Sequence, residues 1–182
     1  MRPLVKTLLL AQACFYGGLV VCVLLKPAGL GGNNGISYYG IYRQTFFPYA
    51  VGLLGGAYFV MRASDLLRPN EQIIRLLLRL FAVLVAGIVI TPYAAGRWMD
   101  YLHTTCGATL FSLQLLLSGW LAWRLRYAWW SVLLTVIELA AGIASAIYLR
   151  PTHGLLLQTQ LLFQIAFWAL CTITLPKFTD EK

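Results

Sequence analysis

Six stretches of this chain are nearly free of charge and long enough to cross a lipid bilayer. They cover about residues 7–25, 46–61, 73–92, 103–122, 128–149 and 154–175. An α-helix rises about 1.5 Å per residue, so about 20 apolar residues span the hydrocarbon layer. In lipid every backbone polar group must find a partner within the protein, which makes each such run a helix. The stretches end on charged or helix-breaking residues: Lys26-Pro27, Arg62, Pro92, Arg124 with Arg126, Arg150-Pro151 and Pro176-Lys177. The pattern predicts an all-α integral membrane bundle of six transmembrane helices, with residues 1–182 as a single transmembrane domain. The chain is 60% hydrophobic and only 11% charged. A soluble domain carries about a quarter charged residues, so there are too few charges here to cover a water-facing surface.

The first stretch follows Arg2 and Lys6 and contains Ala11-Gln12-Ala13, as a secretory signal would. Its apolar character continues to Leu25, too far for a simple signal, so it is read as a retained span. Orientation follows from the positive-inside rule. Arg2, Lys6, Arg62, Arg68, Arg75, Arg124, Arg126, Lys177 and Lys182 fall on one side, and Lys26, Arg43, Arg97 and Arg150 on the other. Both termini are therefore expected in the cytoplasm, and an even number of spans agrees. The expected location is the cell (plasma) membrane. The net charge of +8 sits in ones and twos at the ends of apolar runs. No basic stripe with interleaved aromatics exists, which excludes nucleic acid as a partner. Cys14, Cys22, Cys106 and Cys171 form no Cys-x-x-Cys pair and read as small apolar residues.

The loop from Lys26 to Thr45 is the longest and falls on the extracytoplasmic side. Asn33-Asn34-Gly35 is a strong turn signal within it. No Walker pattern is present, so a compact lid or hairpin is expected. Gly52 and Gly56 on the second span, and Ala141, Gly142, Ser145 and Ala146 on the fifth, are small residues at helical spacing. In lipid such residues let helices approach closely, either within the bundle or in a homo-oligomer. Trp98, Tyr127, Trp129, Trp130 and Tyr148 lie near span ends, as an interfacial aromatic belt does.

Strongly polar groups inside a span are costly unless partnered, and so mark candidate sites. Helical spacing puts three sets on common faces: His103, Gly107, Gln114 and Ser118; Thr135, Glu138, Gly142 and Ser145; His153, Gln160 and Gln164. These faces are expected to point inward at one another. Glu138 lies near mid-span, where it is expected to pair with Arg79 or to stay protonated; it is also placed to relay a proton or substrate. The denser constellation is extracytoplasmic. Arg97, Asp100 and His103 open the fourth span, Arg150 and His153 flank the sixth, and Ser37, Tyr38, Tyr39 and Arg43 come from the long loop. Both histidines of the chain are there.

Four readings fit that cluster. One is a polar pocket for a ligand head group, with Arg97, Arg43 or Arg150 facing an anion. A second is a hydrogen-bonded helix start in which Asp100 serves as N-cap. A third is a metal site at Asp100, His103 and His153, although no His-Glu-x-x-His motif appears. The fourth is a hydrolase in which Asp100 orients His103 to activate Ser37 or water, without a Gly-x-Ser-x-Gly motif. Two histidines on one side cannot stack haems through a bundle, and no cofactor is implied.

Gly35-Ile36-Ser37-Tyr38-Tyr39-Gly40 after the first span, and Asp100-Tyr101-Leu102-His103-Thr104-Thr105-Cys106-Gly107-Ala108 at the fourth, resemble the DRAM/Frag/Sfk superfamily of small six-helix membrane proteins. The matching positions are Ile36, Ser37, His103, Gly107 and Ala108; Tyr38 stands where the family has an acidic residue. The resemblance covers the order of helices and implies a role linked to lipid handling and membrane organisation, with no defined reaction. The functional expectation is a protein that binds or handles a lipid or other amphiphile through an extracytoplasmic-facing polar pocket. The alternatives are a small-solute transporter or substrate-binding subunit of an importer, with Glu138, Gln114 and Gln164 on the pathway; a metal-dependent membrane hydrolase; and a non-catalytic subunit of a membrane complex. Expected partners are membrane lipid, a small amphiphilic ligand, and a membrane-protein partner or a second copy of the chain.

Overall fold

A computed structural model of the protein describes residues 3–31, 34–148 and 154–179. Arg150 and His153, two of the expected site residues, lie outside the described residues. The helices are α1 (Pro3–Leu25), α2 (Arg43–Asp65), α3 (Gln72–Ile90), α4 (Arg97–Arg124), α5 (Trp129–Tyr148) and α6 (Leu156–Thr174). All six have the length and hydropathy of membrane spans, and no strand occurs among the described residues. The protein is an integral, multi-pass helical bundle. With six crossings, the start of α1 and the end of α6 share one side.

Local chemistry sets the helix ends. α1 stops before Pro27, and α3 stops before Pro92, because a prolyl ring disfavours helical geometry in the residue before it. α4 starts at Arg97, six residues ahead of the expected span, which makes Arg97 and Asp100 helical. Gly96 occupies the N-cap with φ 131, a left-handed value suited to glycine. Asp100 is therefore not the N-cap; it sits in the first turn, where a carboxylate favours the helix dipole. After α4 the chain reverses through Arg126 and Tyr127, both left-handed at φ 53 and 56.

α1 packs closely on α2 because small residues line their seam. A Cβ built on Gly18 would lie 2.7 Å from the Gly52 Cα and the Pro48 carbonyl, and one on Gly52 would lie 3.0 Å from the Cys14 carbonyl. Apolar side chains gain nothing by leaving lipid for another helix, so such backbone contact is what holds the pair. α2 packs on α3, α3 on α4 and α5 on α6, while α4 and α5 touch less extensively.

The core is densest toward the end that carries the termini. Leu4, Leu8, Leu78, Leu117, Leu121, Phe167, Leu175 and Phe178 belong to one buried cluster there. Arg124 Nη2 donates to Glu71 Oε1 at 2.8 Å and its guanidinium lies over the Trp120 and Phe178 rings, while the Arg68 N–H donates to the Phe178 carbonyl. These contacts join the α2–α3 turn, α4 and the last turn of the chain. Arg79 does not reach Glu138. It donates to Asp65 at 2.9 Å and to Ser64, because its long side chain snorkels to the polar end of α2 instead of crossing the bundle.

Candidate functional site: a cavity under the loop

The loop between α1 and α2 folds over the other end of the bundle. Its second half forms a short 3-10 helix at Ile36–Ile41. The Ile36 N–H donates to Gln160 Oε1 of α6 at 2.8 Å. Gly35 permits that bond by its size: a Cβ there would stand 2.8 Å from the same oxygen. The Thr45 hydroxyl donates to the Tyr39 carbonyl and fixes the start of α2 to the loop. Tyr39 is fully buried beneath it.

Under this loop a cavity of about 560 Å³ is lined by residues of all six helices. Asn34, Ser37, Tyr38, Tyr93, Asp100, His103, Thr104 and Gln160 form its polar part; Phe15, Leu53, Phe81, Val85, Phe111 and Trp168 line its apolar part. Gly107 and Ala108 of α4 face Gly142 and Ala146 of α5 across it. Thr104, Ala108 and Ala146 line the cavity and are exposed.

His103 is the best-held polar group on this wall. Its Nδ1 lies 2.7 Å from the Thr91 carbonyl and its Nε2 lies 2.8 Å from Ser37 Oγ. A carbonyl only accepts, so Nδ1 carries the proton, and a neutral ring then accepts the Ser37 hydroxyl proton at Nε2. The Thr91 carbonyl is free to accept because α3 has ended and Pro92 turns the chain away. Tyr49 lines the same cavity as Ser37, and the Tyr93 ring packs edge-on against His103. Asp100 does not orient the imidazole; it stands one turn earlier, exposed, on the same cavity wall. The hydrogen bond with Tyr42 pushes the Tyr38 phenol up to about 12, and burial pushes Tyr93 up as well. Both stay neutral hydrogen-bonding groups at physiological pH.

Two of the arginines expected to face an anion, Arg97 and Arg43, are not on the wall of this cavity. Arg97 is exposed at the start of α4, and Arg43 belongs to a separate outer depression with Lys26, Tyr42 and Gln44. Lys26 there lies 3.6 Å from the centre of the Tyr42 ring. Among the described residues, Asp100 is the one formally charged side chain on the cavity wall, and none of them forms a group of three metal-ligating side chains.

Deeper in the bundle, Gln114 and Gln164 bond each other reciprocally at 3.0 and 3.3 Å. One turn further along, Glu138 is fully buried, and the Ser118 hydroxyl faces it without completing a hydrogen bond. The three polar helix faces do turn toward one another; Gln164 also borders the cavity, whereas Gln114, Ser118 and Glu138 do not. Thr91, Tyr93 and Tyr49 had no periodic polar signal to reveal them; only the Thr91-Pro92 break marked the free carbonyl. Comparison with protein-family models, curated proteins and solved structures finds no match to this chain. The positions that carry the sequence resemblance, Ile36, Ser37, His103, Gly107 and Ala108, all lie on the wall of this one cavity.

Proposed function

We propose that the protein binds a membrane amphiphile, with the polar head under the loop at Ser37, His103, Asn34 and Gln160 and the apolar part between α4, α5 and α6. One observation carries this reading: one cavity is polar at the loop and apolar below, and its wall includes exposed positions of the spanning helices α4 and α5, Thr104, Ala108 and Ala146. Its volume of about 560 Å³ falls within the range of roughly 300–1,000 Å³ typical of small-ligand sites. Phe15, Leu53, Phe81, Phe111 and Trp168 on its apolar wall would lose dispersion contacts beside an empty space. A filled cavity is the economical state, and a lipid chain is the nearest filler.

An acyl chain moving from bilayer to cavity exchanges one apolar surrounding for another, so it contributes little net drive. Discrimination then falls to the head group. With Asp100 the one formal charge on the wall among the described residues, an uncharged or cationic head suits the site better than an anionic one. The positive-inside count puts this end outside the cytoplasm, and a lipid-related role is what the DRAM/Frag/Sfk resemblance implies. A freely soluble solute is less favoured, because the Phe and Leu walls would give it no partners.

Native mass spectrometry of the protein purified in mild detergent tests the reading, with Gly107→Leu as the control. A Cβ at Gly107 meets nothing within 4 Å, so the larger side chain fills the cavity without striking the backbone. Retained lipid in the wild type and none in Gly107→Leu supports binding. Equal retention by both, or none by either, refutes it.

A further inference from the structure

We infer that Ser37 is a nucleophile activated by His103, which makes the cavity a site of acyl-ester cleavage or transfer; this rests on the amphiphile reading for where the acyl chain sits. The geometry that points to it is a linear relay. Ser37 Oγ lies 2.8 Å from His103 Nε2, and His103 Nδ1 lies 2.7 Å from the Thr91 carbonyl. A serine within hydrogen-bond reach of an imidazole whose other nitrogen is fixed by a third group is the arrangement that nucleophilic catalysis needs. Here a backbone carbonyl at a helix end sets the tautomer. Ser37 also borders a cavity able to take an acyl chain, and it lies beside Gln160. Gln160 spends its oxygen on the Ile36 N–H, and its amide nitrogen donates to no described protein group, leaving it for a carbonyl oxygen of a ligand. A purely structural tie between the loop and α4 would need no cavity on the serine's side.

The step balances with water or an alcohol as co-reactant. Ser37 Oγ bonds to the ester carbonyl carbon while its proton passes to His103 Nε2. The carbon–oxygen bond to the leaving alcohol then breaks, and that oxygen takes the proton from Nε2. Water, or a second lipid hydroxyl, attacks the acyl–Ser37 ester and gives its proton to Nε2. The acid or new ester leaves as Ser37 Oγ recovers its proton. The imidazolium formed on the way keeps its Nδ1–H bond to the Thr91 carbonyl.

The test is covalent labelling in native membranes with a short-chain and a long-chain alkyl fluorophosphonate, read by peptide mass mapping. The expected result is an adduct on Ser37 in the wild type, none in Ser37→Ala, and labelling at least about 100-fold slower in His103→Asn. Asn can still donate to the Thr91 carbonyl but supplies no base, and its melting temperature beside the wild type verifies the fold. The long-chain probe should react faster than the short one, and Gly107→Leu should erase that advantage. No adduct on Ser37 with either probe, or equal rates in wild type and folded His103→Asn, overturns the inference even where retained lipid upholds the binding reading. Ser37 labelling without any chain-length preference upholds the nucleophile and refutes the chain's seat.

Discussion

Toward the termini, α4 turns Leu113, Leu117 and Leu121 to its neighbours, all buried; toward the loop the same helix turns Thr104, Gly107 and Ala108 to a cavity. α6 follows suit, with Phe167, Leu170 and Cys171 packed at one end and Gln160 at the other. α5 contributes Gly142, Ser145 and Ala146 to the hollow end. Small side chains at the loop end and large ones at the other distinguish the two ends, and α4 and α5 touch less than the other packed neighbours. The packed end closes some of its polar groups with ion pairs, Arg124–Glu71 and Arg79–Asp65. The hollow end closes some of its own with Ser37, His103 and Gln160, and leaves others facing the cavity. Dense packing and open space are thus divided between the two ends of the bundle.

If the division is real, substitutions at the two ends should separate fold from ligand. The largest effect is expected at the α1–α2 seam. Gly18→Val would drive a side chain into the Gly52 and Pro48 backbone, where overpacking costs about 3 kcal/mol or more; size-exclusion chromatography in detergent should show loss of the monodisperse folded protein. A Gly18→Val protein that melts like the wild type would show that the seam is looser than described. Next comes Gly107→Leu, with loss of retained lipid but an unchanged or higher melting temperature, since removing a mid-helix glycine contributes up to about 1 kcal/mol.

A smaller, opposite split is expected for Glu71→Gln. Glu71 is nearly buried but Arg124 is over a third exposed, so solvent screens the pair and its loss should cost only about 1 kcal/mol. Thermal melting should fall by a few degrees while lipid retention stays at the wild-type level; a joint loss would tie the two ends together. The smallest effect is expected for Arg126→Gly. Its φ of 53 suits glycine better than arginine, so stability should rise by about 1 kcal/mol in melting experiments, with no change in labelling at Ser37.

Much of this was legible in the residues themselves. Six apolar runs, each bounded by charge or proline, determine six helices, because a chain in lipid must satisfy its own backbone. Period alone placed His103, Gly107 and Gln114 on one face and Gly142 and Ser145 on another. It could not choose partners. Arg79 and Glu138 looked like a pair by depth, yet a flexible arginine found Asp65 at the polar end of α2. Asp100 looked like the group that orients His103, but the start of α4 at Arg97 and the end of α3 at Thr91 brought a backbone carbonyl there first. Ser37 meets a histidine 66 residues away, a distance that no helical period spans. Sequence determined the helices and their polar faces because those depend on neighbours along the chain. Which polar groups meet, and how much space remains between them, was decided by tertiary packing, because both depend on side-chain volumes from helices far apart in sequence.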